Sequence, residues 1–125
     1  MASGASTVYG RRVASATNIQ LESVVSQVTI IAKIPAAPGQ RAQLAAAMQV
    51  ALDTATTEAG TRFYILHEDA VDADVLWMYE MYEDQDALAA HSGSESFKAL
   101  GPAIKPFLGG RPEFTFATPI GGKGF

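Results

Sequence analysis

Two histidines, His67 and His91, are the residues of this 125-residue sequence whose type is suited to proton exchange near neutral pH. His67 is followed by Glu68 and Asp69 at the end of an aromatic run and reads as a surface residue. His91 closes a short helical stretch just before Ser92-Gly93-Ser94. There it is either a cation set against the helix C-terminus or a polar tip entering a pocket between helices and sheet. In the second setting its imidazole would exchange protons with a bound molecule. Glu80 stands in the otherwise apolar run Leu76-Trp77-Met78-Tyr79-Glu80-Met81-Tyr82. An unpaired carboxylate is costly to bury, which places Glu80 at an interface, on a tyrosine or histidine, or in a pocket. Five of the eleven aromatic residues, Phe63, Tyr64, Trp77, Tyr79 and Tyr82, fall in the same region. Several tyrosines in one sheet would line a cavity suited to a flat ring.

Other chemistry is thin. The sequence has no cysteine, which removes disulfides, thiolate metal sites and thiol nucleophiles. It holds no H-E-x-x-H, G-x-S-x-G or G-x-G-x-x-G, and Gly122-Lys123 lacks the rest of a phosphate loop. A metal site would have to use both histidines, but His67 and Glu68 are adjacent and point to opposite faces of a strand. No dedicated metal site is expected.

The elements that must position these residues follow from periodicity. Val28 to Ile34 is a β-branched run stopped by Pro35, a strand apolar on both faces. After Pro38-Gly39 a helix is predicted from Gln40 to Glu58, with Leu44, Met48, Ala51, Leu52 and Ala55 forming one stripe and Gly60 ending it. Strands are predicted over Phe63–Glu68 and Val75–Tyr82, joined by the acidic link Asp69 to Asp74. Asp84 reads as the N-cap of a short helix reaching His91. A further helical segment carries Phe97, Leu100, Ile104, Phe107 and Leu108, with Pro102 and Pro106 expected to kink or divide it. A last strand is predicted over Pro112–Ile120. The order β-α-β-β-α-β is that of an α+β, ferredoxin-like fold with an antiparallel sheet. Helices then cover one face of the sheet, while the strands carry large apolar groups on both. A homodimer with its sheets face to face is the expected solution.

Composition bounds the class. The chain is 48% hydrophobic and 18% charged with a formal net charge of −4, and no apolar run reaches the roughly 18 residues of a membrane helix. Nine of the thirteen acids lie between residues 63 and 97, a stretch without Lys or Arg. These acids are expected to be solvated at a hairpin tip and a helix start, and no basic stripe offers a nucleic-acid surface. Residues 1–26 read as an N-terminal arm, acid-poor up to Glu22. Its Arg11-Arg12 pair lacks the apolar segment of a secretion signal, and a transit-peptide reading is weaker than a plain arm. The domain proper is expected over residues 27–120, residues 121–125 are expected to form a flexible tail, and the location is expected to be cytoplasmic.

The run Leu76 to Asp84, then Ala87-Leu88-Ala89-Ala90-His91, then Ser96-Phe97-Lys98, resembles the antibiotic biosynthesis monooxygenase family, as does Pro38-Gly39 after the first strand. The resemblance spans roughly residues 27–119. It implies a dimeric α+β barrel and a cofactor-independent oxygenase acting with O₂ on an electron-rich aromatic such as a quinol or anthrone. His91 matches the family's recurring histidine and Glu80 its strand glutamate, so these are the implied catalytic residues, with Glu80 orienting His91 or a tyrosine. Tyr64, Trp77, Tyr79, Tyr82 and Phe97 are the implied pocket residues, though strand alternation prevents all of them facing it. The haem-degrading branch uses a histidine a few residues after this Phe-Lys. The chain has Ala99-Leu100-Gly101-Pro102 there, which argues against haem. Two alternatives remain on the same scaffold, a non-catalytic barrel binding a small apolar ligand or acting in stress response, and a cofactorless isomerase or cyclase.

Overall fold

A computed structural model describes residues 26–124. The arm expected over residues 1–26 lies outside the described residues except for Ser26, as does Phe125 of the tail. Among the described residues there are four strands: β1 (Val28–Pro35), β2 (Thr61–Glu68), β3 (Val75–Tyr82) and β4 (Glu113–Ala117). The helices are α1 (Arg41–Ala47), α2 (Gln49–Ala55), α3 (Gln85–Ser92) and α4 (Glu95–Ile104), followed by a 3₁₀ turn at Lys105–Phe107. The sheet order is β2-β3-β1-β4 and every pairing is antiparallel, the ferredoxin-like arrangement predicted from the element order. No helix among the described residues is long and apolar enough to cross a membrane.

Strand alternation sorts the core. Ile30, Ala32 and Ile34 of β1 and Leu76, Met78 and Tyr82 of β3 point to the helices and are buried there, with Leu44, Met48 and Ile104 facing them. Full burial of a side chain such as Leu44, at 0% exposure, contributes about 1.5–3 kcal/mol. The opposite sheet face carries Ile31, Phe63, Ile65, Trp77 and Tyr79. Ile31 and Ile65 are 37% and 45% exposed, and the three aromatics are half-buried.

The helix predicted from Gln40 to Glu58 is instead two segments meeting at Met48, whose N–H bonds to Ala45 O at 3.1 Å, a tightened turn. The second segment stops at Ala55. Thr56 and Thr57 turn their hydroxyls back onto Asp53 O (2.6 Å) and Thr54 O (2.7 Å), and their N–H groups make the same short-range bonds. Such local side-chain bonds compete with the helical ladder. They end the helix before Glu58, which leaves Glu58 in a turn rather than on the α2 stripe. Gly60 then passes so close to α3 that a Cβ there would strike Ala87.

Of the two prolines expected to kink or divide the last helical segment, Pro102 does not divide it: α4 runs through it to Ile104, and the Lys105 N–H still reaches Gly101 O. The division comes at Pro106, inside the 3₁₀ turn. β4 is shorter than predicted, five residues ending at Ala117.

The acidic link is not merely solvated. Asp69 Oδ1 accepts from the N–H groups of Val71 (2.9 Å) and Asp72 (2.7 Å), and its Oδ2 accepts from Trp77 Nε1 (2.7 Å). These donors hold its carboxyl down at about pKa 2, the backbone N–H of Asp72 contributing most. Asp72 accepts from the Asp74 N–H, and Asp74 accepts from Gly39 N–H, a glycine at φ 76°. Arg41 donates to Asp69 O and Asp72 O and pairs with Glu68 at 3.5 Å. The acids of residues 69–74 therefore staple the β2–β3 connection and tie it to the start of α1.

Candidate functional site

Register brings the site residues into rows across the sheet. Tyr64 of β2 stands opposite Glu80 of β3, Glu80 opposite Ile30 of β1, and Ile30 opposite Phe116 of β4. The next row on the same face is Leu66, Met78, Ala32 and Phe114. Two-residue spacing puts both rows under the helices. Above them lies a cavity of about 520 Å³, walled by Tyr64, Met78 and Glu80 from the sheet and by Phe97, Leu100 and Ile104 from α4. A second cavity of about 270 Å³ adjoins it, with Ile30, Leu88, His91 and Phe116 in its walls. Glu80, Ser92, Phe97 and Phe114 line both.

His91 is held from three sides. Asp84 caps α3 by accepting from Ala87 N–H at 2.8 Å, which fixes the helix whose last turn carries the imidazole. Ser94 donates its hydroxyl to His91 O at 2.8 Å and accepts from Phe97 N–H at 3.1 Å, so one serine joins the end of α3 to the start of α4. His91 is buried, and its imidazole packs among Tyr64, Tyr82 and Phe97 at centroid distances of 5.0, 5.1 and 5.3 Å. Its Nδ1 lies 2.9 Å from Glu58 Oε1. Its Nε2 is buried with no hydrogen-bond partner among the described residues.

Glu80 is also buried, and its Oε1 accepts from the Tyr82 hydroxyl at 2.6 Å. Burial raises its carboxyl above the ordinary value, opposed by the Tyr82 hydrogen bond and by the nearby His91. The tyrosines shift the same way. Burial first, then the Glu80 charge, raises the Tyr64 hydroxyl, and burial with the Glu80 hydrogen bond raises Tyr82. Both phenols therefore stay protonated, and the Tyr82 hydroxyl donates to Glu80.

Of the seven candidate site residues, Tyr64, Glu80, His91 and Phe97 line these cavities, while Tyr82 lines neither and lies fully buried against His91 and Glu80. Trp77 and Tyr79 also line neither. They occupy the opposite sheet face, where Trp77 binds Asp69 and has Lys33 Nζ 5.9 Å from its ring, and Tyr79 sits 6.2 Å from Phe63. His67 is exposed, as expected. Glu58, the residue that meets His91, is the last residue of the helix predicted from Gln40, and no motif marks it as part of a site. It also accepts from Thr61 Oγ1 at 2.8 Å on the same oxygen. Glu80 is hydrogen-bonded to a tyrosine, not to the histidine. No cluster of three or more metal-ligating side chains occurs among the described residues.

Comparison with known proteins agrees with this architecture. The family model for antibiotic biosynthesis monooxygenases matches residues 27–102. No curated protein matches the chain significantly. Among solved structures, Rv0793 of Mycobacterium tuberculosis is 28% identical with a TM-score of 0.72, covering 78% of this chain and 99% of its own. A candidate antibiotic biosynthesis monooxygenase from Chloroflexus aurantiacus is 26% identical with a TM-score of 0.68, covering 79% and 98%. Another from Caulobacter crescentus, 24% identical with a TM-score of 0.71 over 83% and 98%, shares the fold. With more than half of its length matched by the family model, the chain belongs to the antibiotic biosynthesis monooxygenase family.

Proposed function

We propose that the protein is a cofactor-independent monooxygenase that uses O₂ to oxidise an electron-rich aromatic of the quinol or anthrone type. One observation carries the reading. A buried imidazole with an unpaired Nε2 walls the smaller cavity, and buried Glu80 lines both that cavity and the adjoining larger apolar one, which has room for a ring system. For an anthrone-like substrate the balance is R₂CH₂ + O₂ → R₂C=O + H₂O. Nε2 of His91 takes the acidic C–H proton, and the carbanion gives one electron to O₂. The resulting radical pair combines through a new C–O bond. Protonation gives a hydroperoxide, whose O–O bond breaks as the remaining C–H proton leaves with water. Tyr64 donates a hydrogen bond to the developing oxyanion, and the apolar walls keep water from quenching the anion.

The uncovered sheet face with Ile31, Ile65, Trp77 and Tyr79 supports a homodimer closed through that face. In a family where the substrate supplies the electrons, no metal or organic cofactor is required. A second reading, an apolar-ligand carrier without catalysis, draws on the larger cavity, whose walls are mostly apolar and do not include His91. Chelator-treated protein offered hydroquinones and anthrones in an oxygen electrode separates the two. Uptake above the spontaneous rate supports the oxygenase, and binding without uptake across that panel supports the carrier.

A further inference from the structure

We infer that Glu58 is a positioning residue for His91, a carboxylate that fixes the tautomer and orientation of the imidazole so that the unpaired Nε2 faces the substrate as a proton acceptor. The inference rests on the proposed oxygenase reading for its kinetic consequence, but not for its geometry. An ionised carboxylate only accepts hydrogen bonds. With Glu58 Oε1 at 2.9 Å, the proton must sit on Nδ1, and a neutral imidazole then has a lone pair on Nε2. The pair is enclosed, with side-chain exposures of 6% for His91 and 19% for Glu58. Thr61 donates to the same Oε1 from the first residue of β2, so the carboxylate is anchored to the sheet while it holds a helix residue. Three aromatic rings around the imidazole restrict its rotation. A buried nitrogen without a partner is costly in a finished core, and a ligand group is what would satisfy it.

The placement depends on two irregular features already described. The threonine turn that ends α2 at Ala55 directs Glu58 toward the sheet. The bare backbone of Gly60 lets α3 approach closely enough for His91, 33 residues along the chain, to reach it.

The test reads the tautomer directly. Protein labelled with ¹⁵N-histidine gives signals from two residues only, and a His67→Gln variant assigns them. At about pH 8.5 an ordinary imidazole is neutral. The expected wild-type spectrum shows His91 with Nδ1 protonated and Nε2 bare. Glu58→Met, which keeps bulk but removes the acceptor, populates the Nε2–H form. Glu58→Gln, whose amide oxygen still accepts, restores the wild-type form. On a substrate that supports oxygen uptake, Glu58→Met loses about 10- to 100-fold in kcat with little change in KM, part of what a positioned base supplies. An Nε2–H tautomer in the wild type overturns the inference, as does an unchanged tautomer in Glu58→Met. If Glu58→Met fails to fold, the wild-type tautomer decides. Absence of oxygen uptake by wild type, with the Nδ1–H tautomer present, defeats the oxygenase reading and leaves the positioning role standing.

Discussion

The Tyr82 hydroxyl is the protein group that satisfies the buried Glu80 carboxyl, and Tyr82→Phe removes that oxygen while keeping the ring. Tyr82 is 0% exposed, so the substitution leaves packing in place and deletes one hydrogen bond of 2.6 Å. A bond to an ionised partner contributes about 1.5–3 kcal/mol and one between neutral groups about 0.5–1.5 kcal/mol. The sign with pH follows from the raised carboxyl. A group whose folded pKa lies above its unfolded value contributes its stability below the unfolded value, near 4.5 here, and loses it as pH rises through the folded value. Tyr82→Phe therefore costs least at pH 4, about 1 kcal/mol, where Glu80 is largely protonated. At pH 8, where the unfolded chain ionises Glu80 and the folded carboxyl has lost the donor that eases its ionisation, the cost grows to about 2 kcal/mol. Urea titrations at both pH values measure the difference, and with a slope of about 1–3 kcal/mol per molar the midpoint at pH 8 falls by roughly 1 M. Equal losses at the two pH values, or a loss under about 0.5 kcal/mol at pH 8, would refute the assignment of Tyr82 as the donor that holds Glu80.

Two further outcomes follow from the other face of the sheet and its hairpin. The depressed carboxyl of Asp69 contributes stability above about pH 3.8 that is lost as pH falls toward about 2. Trp77, the single tryptophan, binds that carboxyl, so its fluorescence should shift over this window in wild type and not in Asp69→Asn; identical acid titrations would remove Asp69 as the cause. Ile65→Lys places a charge on the exposed apolar face and should convert a dimer to monomer by light scattering, whereas a wild type that is already monomeric would contradict closure through that face.

What could be read from the sequence is what local signals carry. The β3 strand, the Asp84 cap and the β-α-β-β-α-β order rest on contiguous runs and single-residue rules, and all three match the structure. Strand parity also divides Glu80 and Tyr82 from Trp77 and Tyr79, although composition alone does not say which face the helices cover. Glu58 was not legible for a different reason. Its role comes from the early end of α2, caused by threonine hydroxyls, and from a contact across 33 residues that depends on Gly60. Nothing in the spacing of Glu58 relative to His91 signals that meeting. The acids of the β2–β3 link show the same limit, since a charge run reads as solvated until its backbone partners are known.

The central claim is that the chain's own side chains, without a bound cofactor, direct one oxygen atom of O₂ into an aromatic substrate. Turnover of an anthrone under ¹⁸O₂ by chelator-treated protein, with the product analysed by mass spectrometry, tests it most directly. The expected result is a quinone carrying one ¹⁸O atom, formed faster than in the absence of protein and at the background rate with His91→Ala. Product without the label, or formation as fast with His91→Ala as with wild type, would contradict it.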